Sequence, residues 1–216
     1  MIKIVGVSGS PVKDGNTDTF LKKALEFSET LGGVEAEFIS LSEKNVNSCR
    51  HCNWCVAKQS EGKPCALDDD MQEIYPIVLE ADGLLLATPV YLGRLSGYMA
   101  SFLDRLRAFV HGNLYHRRLD YKTGGAMSVG WLRHGGLETA LFSLIQGFMS
   151  VQMIPVGAGL SCAFGAPAVA SMDGKGDFDR NQKLGVLEDE FGLKNMEYLV
   201  KRLVKVTKKL QEVHSI

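Results

Sequence analysis

Short β-branched apolar runs alternate with segments of helical periodicity along the whole chain, and few folds accept that order. Residues 2–7, IKIVGV, read as a strand, and beyond SGSPVKDGNT the residues Phe20, Leu21, Ala24, Leu25 and Phe27 recur at the spacing of one helix face. Gly32 and Gly33 stop that helix, and VEAEFISL from Val34 alternates as a second strand. A helix over about 69–81 leads into a third strand, GLLLATP from Gly83. Another, over 96–110, follows it and carries Met99, Phe102, Leu103 and Leu106. GGAMSVGW from Gly124 reads as strand four, ETALFSLIQGFM as a helix, VQMIPVGAG as strand five, and LKNMEYLVKRLVKVTKKLQEV as a long closing amphipathic helix. Residues 164–187 hold too few periodic residues for an element, and such a stretch is expected to be a lid, an interface arm or disordered.

Strands separated by helices pair in parallel, with helices on both faces. Five of them predict a doubly wound α/β sheet in the flavodoxin-like order 2-1-3-4-5. The 216 residues suit a single domain, 1–216, with a cysteine-containing insertion at 43–68 after strand two. Lys plus Arg number 24 against 25 Asp plus Glu, and no basic stripe stands out, so nucleic acid is not an expected partner. No apolar run approaches the ~20 residues of a membrane-spanning helix. The amino terminus lacks the basic flank and cleavage site of a signal peptide, so the expected location is the cytoplasm, away from membranes.

In such a sheet, ligands sit beyond the carboxyl ends of the strands at the switch point, between strands one and three. The first loop there, SGSPVKDGNT, matches neither G-x-G-x-x-G nor a P-loop, which disfavours a nucleoside triphosphate. It offers the hydroxyls of Ser8, Ser10 and Thr17, the Asn16 amide and the N–H groups of a helix N-terminus, a set suited to a phosphate dianion. The same residues also suit an ordinary turn with Asn16 or Thr17 as N-cap. A second loop leaves strand three through Pro89 with Tyr91 beside it, and a third, rich in glycine, follows strand four from Ser128. One phosphate cradle and two loops able to meet a ring edge suit flavin mononucleotide better than a dinucleotide.

Four of the five cysteines fall in CRHCNWCVAKQSEGKPC, spaced C-x2-C-x2-C-x9-C. In a reducing cytosol such a cluster points to metal or redox work rather than to disulfides. Three close thiolates with a fourth after a longer gap can wrap an iron–sulfur cluster, while His51 within the run keeps zinc open and free surface thiols are the plain reading. Cys162, alone among small residues, reads as a packed thiol.

The first loop, the cysteine segment running into DDDMQEIYPIVLEADGLLLATPVYLGRLSGYMASFLDR, and RHGGLETALFSLI resemble the FMN-binding NAD(P)H-dependent reductases of flavodoxin-like fold, most closely the iron–sulfur flavoproteins. The resemblance spans most of the chain. It implies that Ser10, Pro11, Asn16 and Thr17 hold the FMN phosphate, and that Pro89, Val90, Tyr91, Leu92 and Gly93 line the isoalloxazine. It puts Gly130, Trp131, Leu132, Arg133, His134, Gly135 and Gly136 against the pyrimidine end of the ring. It also implies a 4Fe-4S cluster on Cys49, Cys52, Cys55 and Cys65. Related quinone reductases similar to tryptophan-repressor-binding protein share the GG-x-E of Gly135, Gly136 and Glu138 but lack the cysteines. A histidine that some of them carry near strand five has no counterpart in SVQM.

The remaining polar residues fit plainer roles. DGKGDFD from Asp173 mimics a calcium loop but has Lys175 and Phe178 at positions that such a loop cannot spare. His111, His116, Arg117 and Arg118 read as a solvated cationic face after a helix, and Asp68, Asp69 and Asp70 as caps of the next one. The resulting expectation is an FMN oxidoreductase that couples two-electron flavin chemistry to one-electron transfer through the cluster, with no catalytic side chain assigned. Its donor would be NAD(P)H or ferredoxin, its acceptor a small molecule, and its assembly a homodimer or homotetramer. A cluster-free quinone reductase with a zinc or thiol loop and a non-catalytic electron carrier are the alternatives.

Overall fold

The computed structural model describes residues 1–177, 181 and 183–214; Phe178 and Asp179 of the calcium-like run lie outside the described residues. Strand β1 (Ile2–Ser8) is the hub of the sheet. It pairs in parallel with β2 (Val34–Ser40) on one edge and β3 (Gly83–Tyr91) on the other. Beyond β3 lies β5 (Thr123–Gly130), also parallel, and β6 (Ile154–Val156) continues the order β2-β1-β3-β5-β6, which is the expected doubly wound succession.

The sheet has seven strands rather than five. One addition is β4 (Arg94–Leu95), which folds back antiparallel on β3 through a tight turn at Leu92 and Gly93. Both turn residues have positive φ, 50° and 77°, the backbone of a two-residue hairpin whose twist matches its strands. The other is β7 (Ala166–Val169). The expected fifth strand, VQMIPVGAG, is regular over only three residues, and the edge place beside β5 is shared: Ile154–Val156 pairs with Thr123–Gly125, and Ala166–Val169 pairs with Met127–Gly130. Pro155 and Pro167 suit this edge place, because a strand containing proline can pair on one side only. The reading of 164–187 as devoid of elements is therefore corrected: it contains β7 and 3-10 turns at Met172–Gly174 and Gly185–Glu188.

Because β1 and β3 are buried on both faces, their side chains alternate between two cores. Ile4, Leu85 and Ala87 meet α1 (Asn16–Thr30) and α7 (Glu190–His214) on one face. Val5, Val7, Leu84 and Leu86 meet the other face. There the cysteine segment, with its single turn α2 (Trp54–Ala57), packs with α3 (Met71–Glu80), α4 (Gly97–Arg105), α5 (Arg107–Val110) and α6 (Leu137–Ser150). The helix expected over 96–110 is two, joined at Leu106. Among the described residues no helix is long and apolar enough to cross a membrane.

The loop after β1 is seated by backbone. Gly9 donates to the Ala87 carbonyl at 2.8 Å, and its own carbonyl accepts from the Ser96 hydroxyl at 2.5 Å. A Cβ at Gly9 would stand 2.6 Å from the Met99 Cβ and 3.0 Å from its backbone nitrogen. Gly9→Ala should overpack this contact and lower stability by about 1–3 kcal/mol in urea unfolding; an unchanged midpoint would contradict the close seating of the loop on α4.

Candidate cofactor crevice and cysteine segment

The three loops predicted to converge do so. A crevice of about 260 Å³ at the carboxyl end of the sheet is walled by Ser10, Asn16 and Thr17 from the first loop, Pro89, Val90 and Tyr91 from the second, and Gly130 and Trp131 from the third. Val12, Gly15, Val129, Ala170 and Lys183 complete the lining, and none of these five stood among the expected site residues. Burial, then the neighbouring Tyr98, push the Tyr91 phenol upward, so it stays protonated and able to donate.

The N-terminus of α1 differs from the expected one. Its N-cap is Gly15, with no side-chain cap, whereas Ser96 caps α4 by accepting from the Met99 N–H. The leading N–H groups of a helix lack intrahelical acceptors, so α1 presents uncapped donors where Gly15, Asn16 and Thr17 line the crevice. Asn16 reaches elsewhere: its Oδ1 accepts from Val186 N at 3.0 Å and its Nδ2 donates to the Lys183 carbonyl at 3.3 Å. The Ser10 hydroxyl shapes its own loop, donating to the Val12 carbonyl and accepting from the Val12 N–H. Asp18, the acidic residue of the first turn, does not line the crevice; its Oδ2 accepts from Asp14 N and the Ser40 hydroxyl.

The other expected residues do not line the crevice. Leu92 is fully exposed at the hairpin tip, and His134 is exposed. Loops two and three touch through glycine: a Cβ on Gly136, whose φ is +108°, would sit 2.5 Å from Gly93 Cα. Arg133 faces a neighbouring hollow, where its Nη2 donates to Asp189 at 3.2 Å, and Leu132 bridges to Lys175. Pro11, Leu92, Gly93, Leu132, Arg133, His134, Gly135 and Gly136 are thus outside the crevice lining.

The cysteine segment lies on the α3–α5 side of the sheet. Its backbone turns sharply, with His51 and Asn53 at φ 50° and 57° on either side of Cys52. Cys55 is buried, Cys49 and Cys65 are half-buried and Cys52 is exposed. Burial raises the Cys55 thiol; Arg107 opposes that, and Cys65 and Cys49 lie close enough to reinforce it. Hydrogen-bond donors already face the sulfurs, with Arg107 Nη1 and His51 N each 3.4 Å from Cys55 and Cys49 Sγ respectively. Gln59 ties the segment down with both ends of its amide: it donates to the carbonyls of Pro64 and Ala108 and accepts from Leu114 N and Tyr115 N.

Among the described residues no three His, Cys, Asp or Glu side chains are gathered tightly enough to hold a single metal ion. Ligands of a 4Fe-4S cubane stand at its separate corners, further apart than those of one ion. A Cys55 thiol within electrostatic reach of both Cys49 and Cys65, with N–H donors on Cys55 and Cys49 and a buried guanidinium near Cys65, fits such an anionic cluster better than zinc.

That guanidinium is Arg105, whose Nη1 meets Asp69 Oδ2 at 2.5 Å with both side chains 1% exposed. Its Nε and Nη2 are buried without partners, and it is electrostatically coupled to Tyr75 and Cys65. The reading of the Asp68–Asp70 run as mere caps is corrected here. Asp69 Oδ1 does accept from Met71 N, but Oδ2 carries the ion pair and accepts from Asn47 N, and Asp70 accepts from Asn45 N. Sequence held one signal for the pair: Arg105 follows Phe102 by three residues, on a helical face that is otherwise apolar.

A family profile described as NADPH-dependent FMN reductase matches residues 2–166. An iron–sulfur flavoprotein of Methanocaldococcus jannaschii is 38% identical over 207 residues, covering 96% of this chain and 98% of its own. Among solved structures, RosB with bound 8-demethyl-8-formylriboflavin-5'-phosphate superposes with a TM-score of 0.76 at 17% identity, covering 98% of this chain and 81% of RosB. A flavodoxin, WrbA-like protein of Agrobacterium tumefaciens gives 0.62 at 14% identity, covering 97% of this chain and 99% of that one. These structural likenesses establish the flavodoxin-like fold.

Burial alone would raise the Asp69 carboxyl, but Arg105 and the Asn47 donors outweigh it and hold it below the usual carboxylate range. A folded value below the unfolded one contributes stability above about pH 4, and that stability is lost as pH falls through the lowered value. Asp69→Asn should therefore cost about 3–5 kcal/mol at neutral pH by stranding a buried guanidinium. In urea unfolding, the gap from wild type should narrow toward acid pH; a pH-independent gap would contradict the ion pair.

Proposed function

Because the chain belongs to the NADPH-dependent FMN reductase family of flavin oxidoreductases, we propose that it holds FMN in the crevice and a 4Fe-4S cluster on Cys49, Cys52, Cys55 and Cys65, joining two-electron to one-electron transfer. The observation that carries the flavin half is the uncapped start of α1 opening on a crevice walled by three strand-end loops. When bound, FMN would supply two-electron hydride chemistry and the cluster one-electron transfer.

The chain's own residues position those groups. Thr17 and the first-turn N–H groups of α1 face the phosphate, with Ser10, Pro11 and Asn16 shaping the loop around it. Pro89 to Gly93 and Gly130 to Gly136 border the ring, and the Gly93–Gly136 contact keeps loops two and three together. Arg107 and His51 donate to the ligand sulfurs, which stabilises negative charge there. NADPH is the donor that the family description supports, reduced ferredoxin is a second candidate, and a small molecule receives the electrons. We further propose a homodimer or homotetramer acting in the cytoplasm, consistent with five free cysteines.

In protein purified without air, replacing any one of Cys49, Cys52, Cys55 or Cys65 with Ala should lower bound iron and acid-labile sulfide together while FMN remains. Cys162→Ala should leave all three unchanged. Stoichiometric zinc without sulfide in the wild type would instead favour a cluster-free flavin reductase with a metal-stapled loop.

A further inference from the structure

A phosphate dianion held only by neutral donors keeps most of its charge uncompensated, and flavin-phosphate sites on this chain's first loop offer few cations. Lys13 is paired with Glu43 at 2.8 Å and Lys22 with Asp14 at 2.5 Å, and neither lines the crevice. Among the described lining residues a single side chain is charged, that of Lys183. Lys183 lies 167 positions downstream of Asn16 and borders the crevice beside it, its carbonyl bonded by the Asn16 amide.

Lys183 is also held in place from two directions. Asn16 bonds the segment on both sides of Gly185, through the Lys183 carbonyl and the Val186 N–H. Gly185 itself is pressed against the strand that ends at Val169: a Cβ there would lie 2.2 Å from the Ala170 carbonyl oxygen, and Ala170 is a crevice residue. Val186 is fully buried in the core that contains α1. The Asn16 amide is thus spent on the downstream segment, and the residue which that segment contributes to the crevice lining is a lysine.

We infer that Lys183 supplies the positive charge of the FMN phosphate site and that Asn16 is the clamp that delivers it. The inference rests on the crevice being the FMN site. A lysine acts on phosphate as a point charge rather than a planar fork, so it needs a fixed stem more than a fixed rotamer, and the Asn16 bonds to the backbone provide that. The interaction is directed at the phosphate alone. Riboflavin, which has the same ring and ribityl chain without the phosphate, should not sense it.

The test is to titrate the full-length chain, stripped of flavin, with FMN and with riboflavin. Wild type should bind FMN the more tightly, and Lys183→Met should lose on the order of tenfold in FMN affinity, the scale of one charged hydrogen bond. Riboflavin affinity should stay unchanged, and the variant's FMN binding should depend less on salt. Lys183→Arg should restore most of the loss, and Asn16→Ala should reproduce it in part. Unchanged FMN affinity in Lys183→Met, or an equal loss for riboflavin, would overturn the role of Lys183. Wild type that binds neither flavin would instead overturn the reading of the crevice on which the inference rests.

Discussion

Strand β1 is hydrogen-bonded on both edges and covered on both faces, and the rest of the molecule is arranged by that double constraint. Its neighbours β2 and β3 must both be parallel to it, so each connection has to cross a face of the sheet. The connection to β2 carries α1 over one face, and the connection from β2 to β3 carries the cysteine segment and α3 over the other. The chain therefore parts at the carboxyl end of β1, and the gap it leaves is where Gly9, the first loop and the start of α1 stand.

The two connections build the two candidate centres, the crevice at the carboxyl end of the sheet and the cysteine segment on its α3–α6 face. The first gives an uncapped helix end beside three loops. The second has to stretch from Ser40 to Met71 with only one turn of helix, and it is anchored by polar contacts rather than by regular structure. Gln59 fixes it to the end of α5, and the Asp69–Arg105 pair fixes its exit to α4. A buried ion pair gains little net stability against an apolar equivalent, but breaking one half is costly, so it fixes one arrangement of the segment. The Nε and Nη2 of Arg105, buried without partners, place hydrogen-bond donors on the Cys65 side of the ion pair.

Much of this was legible in the sequence, for identifiable reasons. Parallel strands buried on both faces give unbroken apolar runs, which is why β1, β3 and β5 and the order of the sheet could be read directly. β7 escaped because Ala166, Pro167 and Ala168 carry neither bulk nor alternation; it is recognisable only once β5 is in place to pair with it. The crevice loops were found because they follow strand ends, yet half of the residues assigned from the resemblance lie outside its lining. Gly15 rather than Asn16 caps α1, because the Asn16 amide is drawn to residues 183 and 186, far away in sequence. Lys183 could not be found by spacing for the same reason. Arg105 could have been, as a charge on an apolar helix stripe.

On the proposed function, flavin and cluster occupy one protein and exchange electrons. Anaerobic titration of the purified protein with NADPH, following flavin absorption and the electron paramagnetic resonance of a reduced cluster together, tests it most directly. Bleaching of the flavin accompanied by the cluster signal in the wild type, and bleaching without it in Cys55→Ala, is the predicted result. A wild type whose flavin is reduced while no cluster signal appears, in protein shown to contain iron and sulfide, would contradict the coupling.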